Sequence, residues 1–192
     1  MPELFKHSSY LIRKKVIKLF GGAFHIYDPD GNVIMYSKMK AFKLKEDIRI
    51  YTGEDMQTEV LVIKARQIID ISAVYDVVDA SSGEKIGALK RKGLKSFFKD
   101  EWIFMDADDR EIGLIKEDST FLALVRRFII SLIPQNFVGD IGGTIVCNFK
   151  QHFNPFVLKI AVDFSPDTEN LLDKRLGLAA SVLLCAIEGR QD

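Results

Sequence analysis

The chain has 192 residues, of which 47% are hydrophobic and 28% charged, so it is long enough for one large domain with a substantial core. These values exclude a disordered, collagenous or disulfide-stapled chain. Twenty-seven lysines and arginines balance twenty-seven aspartates and glutamates, which argues against a protein that binds nucleic acid over its whole surface. Its two cysteines, Cys147 and Cys185, are too few for a disulfide framework and indicate a reducing compartment.

The N-terminus shows no secretory signal, because Arg13, Lys14 and Lys15 interrupt the apolar stretch there. The uncharged run at residues 176–187 would form a helix about 18 Å long, which is too short to cross a ~30 Å hydrocarbon core. We therefore expect that run to be buried in protein. The expected location is the cytoplasm, with peripheral attachment at a membrane as the form of any membrane contact.

Strand-turn-strand patterns recur along the chain. Residues 24–36 alternate around an Asp-Gly pair, which is typical of a tight hairpin. Further pairs are residues 48–52 with 59–63, 75–79 with 86–90, 102–106 with 112–116, and 144–149 with 156–162. A hairpin every ~25 residues favours a meandering antiparallel sheet or barrel over a propeller. Residues 10–20 fit either a strand or a helix, and Gly139, Gly142 and Gly143 are expected in a loop.

Two helices are predicted. Ser119 can cap one with an apolar stripe over residues 121–132 that Pro134 ends. The other begins at Ser165 and Pro166, covers residues 166–188 and stops at Gly189. Because this second helix is apolar all round, it must be enclosed on every side. A mainly β (α+β) fold satisfies this requirement: a closed antiparallel barrel of about twelve strands around a buried hydrophobic C-terminal helix, forming one domain over residues 1–192.

The sequence resembles the Tubby C-terminal-like superfamily, in particular the branch with phospholipid scramblases and LURP-one-related proteins. The matching segments are residues 18–33, the Ile-Gly pairs at residues 86–87 and 112–113, and the final apolar helix followed by Glu188-Gly189-Arg190. The resemblance implies a twelve-stranded barrel around a hydrophobic helix, and tubby itself uses a basic surface to hold phosphoinositides. The Pro-rich arm, palmitoylated cysteines and Asp-rich calcium segment of scramblases have no counterpart here, so lipidation, calcium binding and lipid flipping are not transferred.

The strongest functional signal is a local excess of basic residues. Between residues 85 and 99 there are six basic residues and no acidic one: Lys85, Lys90, Arg91, Lys92, Lys95 and Lys99. Two smaller clusters are Arg13, Lys14, Lys15 and Lys18, and Lys38, Lys40, Lys43 and Lys45. Each Lys or Arg near an anionic membrane contributes about 1 kcal/mol, so the six-residue cluster is the predicted headgroup-binding site. The alternative is that these residues form ordinary solvated strand faces.

Other motifs have weaker spacing. Asp28, Asp30 and Asn32 begin a calcium-loop pattern, but Val33 stands where glycine is required, so a hairpin turn is favoured. Cys147 with His152 and Asn154 suggests a thiol hydrolase, yet Cys147 falls in an apolar strand and is expected in the core.

Three functions are open from the sequence. The leading hypothesis is a non-enzymatic binding module for anionic phospholipid headgroups, such as phosphoinositides. The alternatives are a protein-interaction scaffold or regulator and an enzyme acting on a small substrate at a barrel mouth. No catalytic residue, metal or cofactor is assigned. The expected partners are an anionic membrane surface or another protein, not nucleic acid.

Overall fold

The computed structural model describes residues 3–17, 21–39, 47–66, 73–92, 101–117, 135–152 and 157–187. After a single 3-10 turn at Glu3–Phe5, these described residues form twelve strands and one helix. The strands are β1 (Ser9–Ile17), β2 (Gly21–Tyr27), β3 (Val33–Met39), β4 (Ile48–Tyr51), β5 (Glu59–Ala65), β6 (Val74–Asp79), β7 (Lys85–Arg91), β8 (Glu101–Met105), β9 (Glu111–Glu117), β10 (Asn136–Ile141), β11 (Thr144–His152) and β12 (Leu158–Asp163). The helix α1 covers Lys174–Ile187.

The strands form one closed antiparallel barrel in which each pairs with its neighbours in sequence and β1 pairs with β12. The predicted barrel and all five predicted hairpins are confirmed. Alternation decides which side chains fill the interior: in β1, Tyr10 and Ile12 are buried, while Arg13 between Ile12 and Lys14 is exposed. The ambiguous segment at residues 10–20 therefore contributes a strand over its described part, because its apolar residues alternate along β1.

The expectation of a loop around Gly139 is wrong, because Asn136–Ile141 is a strand. Gly139 pairs with Cys147 and lies beside a bulge between Gly139 and Asp140. A Cβ atom at this position would meet the Cys147 sulfur and the Phe104 ring. Glycine is therefore required here for close packing within a strand. Gly142 and Gly143 do form the following turn, each with a positive φ.

The helix α1 fills the barrel. Every residue from Leu176 to Ile187 is buried, as its all-round apolar composition requires. Its start differs from the expected one, because α1 begins at Lys174 rather than at Pro166. The Asp167 carboxylate instead accepts hydrogen bonds from the backbone N–H groups of Leu171 and Leu172, which holds the preceding segment in turns. The expected stop at Gly189 lies outside the described residues.

The barrel has two chemically different ends. We call the end with the β2–β3, β4–β5, β6–β7, β8–β9 and β10–β11 connections the turn end. The N-terminus of α1 lies there, because Leu176 packs at Gly87 near the start of β7. We call the opposite end the loop end; β1, β3, β5, β7, β9 and β11 run towards it, and so does α1. The predicted helix at residues 119–132 lies outside the described residues.

Within the described part of the chain, no helix combines the length and the apolar character needed to cross a membrane. The segment compared with a calcium loop is a turn, in which Asp28 accepts hydrogen bonds from the backbone and side chain of Asn32. The hairpin interpretation is therefore confirmed there. Asp106 forms a similar turn, because it accepts hydrogen bonds from the backbones of Asp108 and Arg110.

Candidate functional site

The described members of the six-residue basic cluster predicted from the sequence lie on β7 and just after it, where their lysines pair with different carboxylates. Lys85 lies at the turn end of β7, where its ammonium group is 2.6 Å from Asp109 and 3.4 Å from Asp76. Arg66 contacts the same two carboxylates, so the four side chains form a closed network of two cations and two anions. Lys85 is consequently neutralised by its neighbours, and it lies at the opposite end of β7 from Lys90 and Arg91.

The remaining described members of the cluster also meet acidic neighbours. Lys90 is 3.1 Å from Glu111, and Lys92 is 3.0 Å from Glu101. Both lysines are partly exposed, and such pairs contribute at most about 1 kcal/mol, so they can exchange partners with an incoming anion. Along β7, Arg91 is on the same side of the strand as the buried Leu89. It therefore does not lie on the outer face with Lys90. Lys95 and Lys99 lie outside the described residues.

A second basic surface lies on the outer face of β9, β10, β11, β12 and β1. Arg13 is directly opposite Lys159 in the β1–β12 ladder, and Lys159 is directly opposite His152 in the β12–β11 ladder. Like charges at directly opposed positions destabilise a sheet by a few tenths of a kcal/mol to about 1 kcal/mol. Within the described ranges, neither Arg13 nor Lys159 forms an ion pair with a carboxylate.

Two further lysines extend this surface. Lys150 lies two residues before His152 on β11, and Lys116 lies on β9, separated from β11 by β10. Both are exposed; Lys150 has no carboxylate partner among the described residues, whereas Lys116 is directly opposite Glu101 in the β8–β9 ladder. We call Arg13, Lys116, Lys150, Lys159 and His152 the basic face. Its outward-facing neighbours in the loop-end half of these strands include Asn136, Val138 and Ala161, which carry no charge.

The other two clusters from the sequence are divided by the fold. Lys14, unlike Arg13, points into the barrel: it is 7% exposed and its ammonium group donates a hydrogen bond to the carbonyl oxygen of Cys185. Lys38 is exposed near the end of β3. Lys18, Lys40, Lys43 and Lys45 lie outside the described residues.

The turn end carries the opposite charge. Its five hairpin turns, at residues 28–32, 52–58, 80–84, 106–110 and 142–143, contain one basic residue, Arg110. They contain eight acidic ones: Asp28, Asp30, Glu54, Asp55, Glu84, Asp106, Asp108 and Asp109. These hairpin turns are therefore predominantly acidic, in contrast to the basic face. A local excess of one charge allows part of an overall neutral protein to attract anions.

The cysteine considered as a nucleophile is in the core. Cys147 is fully buried, and burial raises the pKa of its thiol. A thiol must ionise to act as a nucleophile, so this environment opposes the reaction. His152 is exposed on the basic face, and Asn154 lies outside the described residues. Among the residues that the structure describes, no three His, Cys, Asp or Glu side chains are grouped closely enough to hold a metal ion.

Part of the basic face can be predicted from the sequence. Alternation along β1 and β12 already places Arg13 and Lys159 outward. Their opposition depends on closure of the barrel between its first and last strands, which are far apart in sequence. The local density of basic residues along the sequence favours residues 85–99 instead. That density does not show the carboxylates that other strands bring close to these lysines.

Comparisons with known proteins find one matching family model and a similar solved structure. The family model described as LURP-one-related matches residues 33–171. A solved structure of a protein from Arabidopsis thaliana is similar over 96% of this chain and 94% of that chain, with 14% sequence identity and a TM-score of 0.49. A search of curated proteins finds no match.

Proposed function

Because the chain belongs to the LURP-one-related family, within the Tubby-like superfamily, we propose that it is a non-enzymatic binding module whose basic face associates with anionic phospholipid headgroups. The observation that carries this proposal is the direct opposition of Arg13 and Lys159 without a carboxylate between them. An arrangement that costs folding stability is explained if an anionic ligand neutralises it.

The energetics favour reversible attachment. Arg13, Lys150 and Lys159 together supply about 3 kcal/mol near an anionic membrane, at about 1 kcal/mol per residue. Most of the acidic turn end lies too far away to cancel this attraction, because strands of about seven residues separate the two ends by roughly 15–20 Å after tilting, which exceeds the ~8 Å Debye length at physiological salt. Glu54 is the exception, since it contacts His25, which is directly opposite Arg13 in the β1–β2 ladder.

The cluster predicted from the sequence is the competing site for the same headgroups. Lys90 and Lys92 lie near the loop end of β7, but a headgroup phosphate must displace Glu111 and Glu101 from them. Lys85 contributes nothing in this proposal, because Asp76 and Asp109 already hold it. The basic face has the advantage that its cations need not first leave an acidic partner.

The test is sedimentation with vesicles of phosphatidylcholine alone and of phosphatidylcholine containing phosphatidylserine or a phosphoinositide. We expect binding to the anionic vesicles at low salt, with release as the salt concentration rises to about 0.3 M. The variant Arg13→Gln/Lys150→Gln/Lys159→Gln removes three charges from the basic face and should bind about 100-fold more weakly.

The matched variant Lys85→Gln/Lys90→Gln/Lys92→Gln also removes three charges and should retain most of the binding. If it loses binding while the first variant does not, headgroup binding stands and the site is on β7. Absence of binding to every anionic vesicle at low salt would refute the function itself.

A further inference from the structure

A second outer surface has an entirely different composition. On β2, β3 and β4 the outward side chains of His25, Tyr36 and Tyr51 lie in one cross-strand row, because His25 is opposite Tyr36 and Tyr36 is opposite Tyr51. The ring centroids of His25 and Tyr36 are 5.2 Å apart with an interplanar angle of 63°. Tyr27 lies beside the row, with its ring centroid 6.5 Å from that of His25.

Exposed apolar side chains border this row. Val33, opposite Tyr27 on β3, is 44% exposed, and Met56 in the β4–β5 turn is 39% exposed. A patch of tyrosines with neighbouring aliphatic groups is typical of the centre of a protein-protein interface, where Tyr and other aromatic residues contribute most of the binding energy. We call the side chains of His25, Tyr27, Tyr36 and Tyr51 the aromatic row.

Carboxylates lie along the same surface. Glu54 is 2.7 Å from the Nε2 atom of His25, and its side chain is 70% exposed. Burial and the nearby Glu54 raise the pKa of Tyr36, which indicates that this carboxylate lies close to the phenol. Glu59 contacts the Tyr51 hydroxyl at 3.4 Å and is paired with Arg49 at 2.7 Å. Glu54, in contrast, has no Lys or Arg partner among the described residues.

We propose that the aromatic row and Glu54 form a docking surface for an arginine-bearing peptide segment of a protein partner. Charge complementarity selects this occupant, because the surface combines aromatic faces with an exposed carboxylate. A guanidinium group can stack on a tyrosine ring while it donates hydrogen bonds to a carboxylate, which an ammonium group does less well. The chain already contains one arrangement of a guanidinium, a carboxylate and a tyrosine: Arg49 donates hydrogen bonds to Glu59, which also contacts the Tyr51 hydroxyl.

The aromatic row adjoins the basic face, because His25 is directly opposite Arg13 in the β1–β2 ladder. The proposed contacts with Tyr36 and Glu54 do not require that the basic face binds a membrane. A protein that uses both surfaces can hold a basic partner at an anionic membrane. Each surface can be altered without changing residues of the other.

The experiment is a fluorescence anisotropy titration with a labelled peptide of alternating arginine and glycine, and with a glutamate-glycine peptide as the negative control. We expect the unmodified full-length protein to bind the arginine peptide at low salt. The variant Tyr36→Leu retains apolar area but removes the π face, and should weaken binding about tenfold. Glu54→Gln should weaken it by a similar factor.

The control variant is Glu84→Gln, which removes an exposed carboxylate from the β6–β7 turn at the same barrel end. It should leave the affinity for the arginine peptide unchanged. Circular dichroism would establish that each variant is folded. Equal weakening by Glu84→Gln and Glu54→Gln would overturn the proposal, since it would show general attraction to the acidic end. No binding of the arginine peptide, or unchanged binding by Tyr36→Leu, would also overturn it.

Discussion

The side-chain ammonium group of Lys14 lies 3.2 Å from the backbone carbonyl oxygen of Cys185, inside the barrel. One residue comes from the first strand and the other from the last turn of the central helix. A buried ammonium group needs a hydrogen-bond acceptor, and the Cys185 carbonyl oxygen provides one. This contact joins α1 to the wall of the barrel at the loop end.

Replacing Lys14 by methionine should lower the free energy of unfolding by about 1–3 kcal/mol, because a charge-assisted hydrogen bond in the interior is lost. Urea denaturation measures the change. Lys150→Met is the matched control, since Lys150 is exposed on the basic face. Equal stability of the two variants would show that the Lys14 contact does not hold the helix.

The glycines of both Ile-Gly pairs, Gly87 and Gly113, lie against a backbone oxygen of a neighbouring strand. A Cβ atom at Gly113 would collide with the backbone oxygen of Asp140 on the neighbouring strand β10, and that backbone cannot move without disturbing the ladder. We expect Gly113→Ala to lower stability by about 1–3 kcal/mol. Gly53→Ala is the control, because its new Cβ meets only the Asp55 side chain at an ordinary 3.5 Å. The control should be neutral or stabilising by a few tenths of a kcal/mol. Thermal unfolding of both variants would distinguish the outcomes.

Asp79 should give the fold part of its sensitivity to acid. Hydrogen bonds from Ser81 and Arg175 hold the pKa of Asp79 below its ordinary value. Because the folded-state pKa is lower than the unfolded one, the carboxylate stabilises the fold above about pH 4, and this stabilisation is lost as the pH falls further.

Asp79→Asn should therefore lower the urea midpoint at neutral pH, by an amount corresponding to about 1–2 kcal/mol. The difference from the unmodified protein should shrink below about pH 4. Asp30→Asn, at an exposed turn position, is the control. A difference that stays constant between pH 3 and pH 7 would contradict the role assigned to Asp79.

The two cysteines should be unreactive in the folded protein. Burial raises the pKa of the Cys147 thiol and of the Cys185 thiol, so neither forms the thiolate that reacts with iodoacetamide. Mass spectrometry should detect alkylation only after a denaturant is added. Rapid alkylation of Cys185 under native conditions would mean that α1 leaves the barrel frequently.

The sequence determined the secondary structure of most of the barrel, because alternation and turn residues act over short distances. The pattern around Asp28 specifies a hairpin that needs no distant contact, and the all-round apolar composition of residues 176–187 requires a surrounding wall. The sequence did not predict the strand at Asn136–Ile141, because glycine normally favours a loop. The reason for a glycine at position 139 is the close approach of Cys147 and Phe104, which belong to other strands. The predicted helix start at Pro166 is wrong because the Asp167 carboxylate accepts a backbone hydrogen bond from Leu171 and holds that segment in turns. The helix begins only after Asp173, whose carboxylate accepts a hydrogen bond from the backbone of Arg175.

Only the tertiary structure decided which basic residues are available to a ligand. Lys85 and Arg13 are both basic residues on strands, and nothing in their immediate sequence neighbours distinguishes them. Pairing of β6 with β7 brings Asp76 to Lys85, and the β8–β9 turn adds Asp109, whereas closure of the barrel between β1 and β12 brings Lys159 to Arg13. Charge interactions act through space over a few ångströms, so the partners of each cation depend on how the strands pair and how far their side chains reach, which counts of charge along the sequence do not encode.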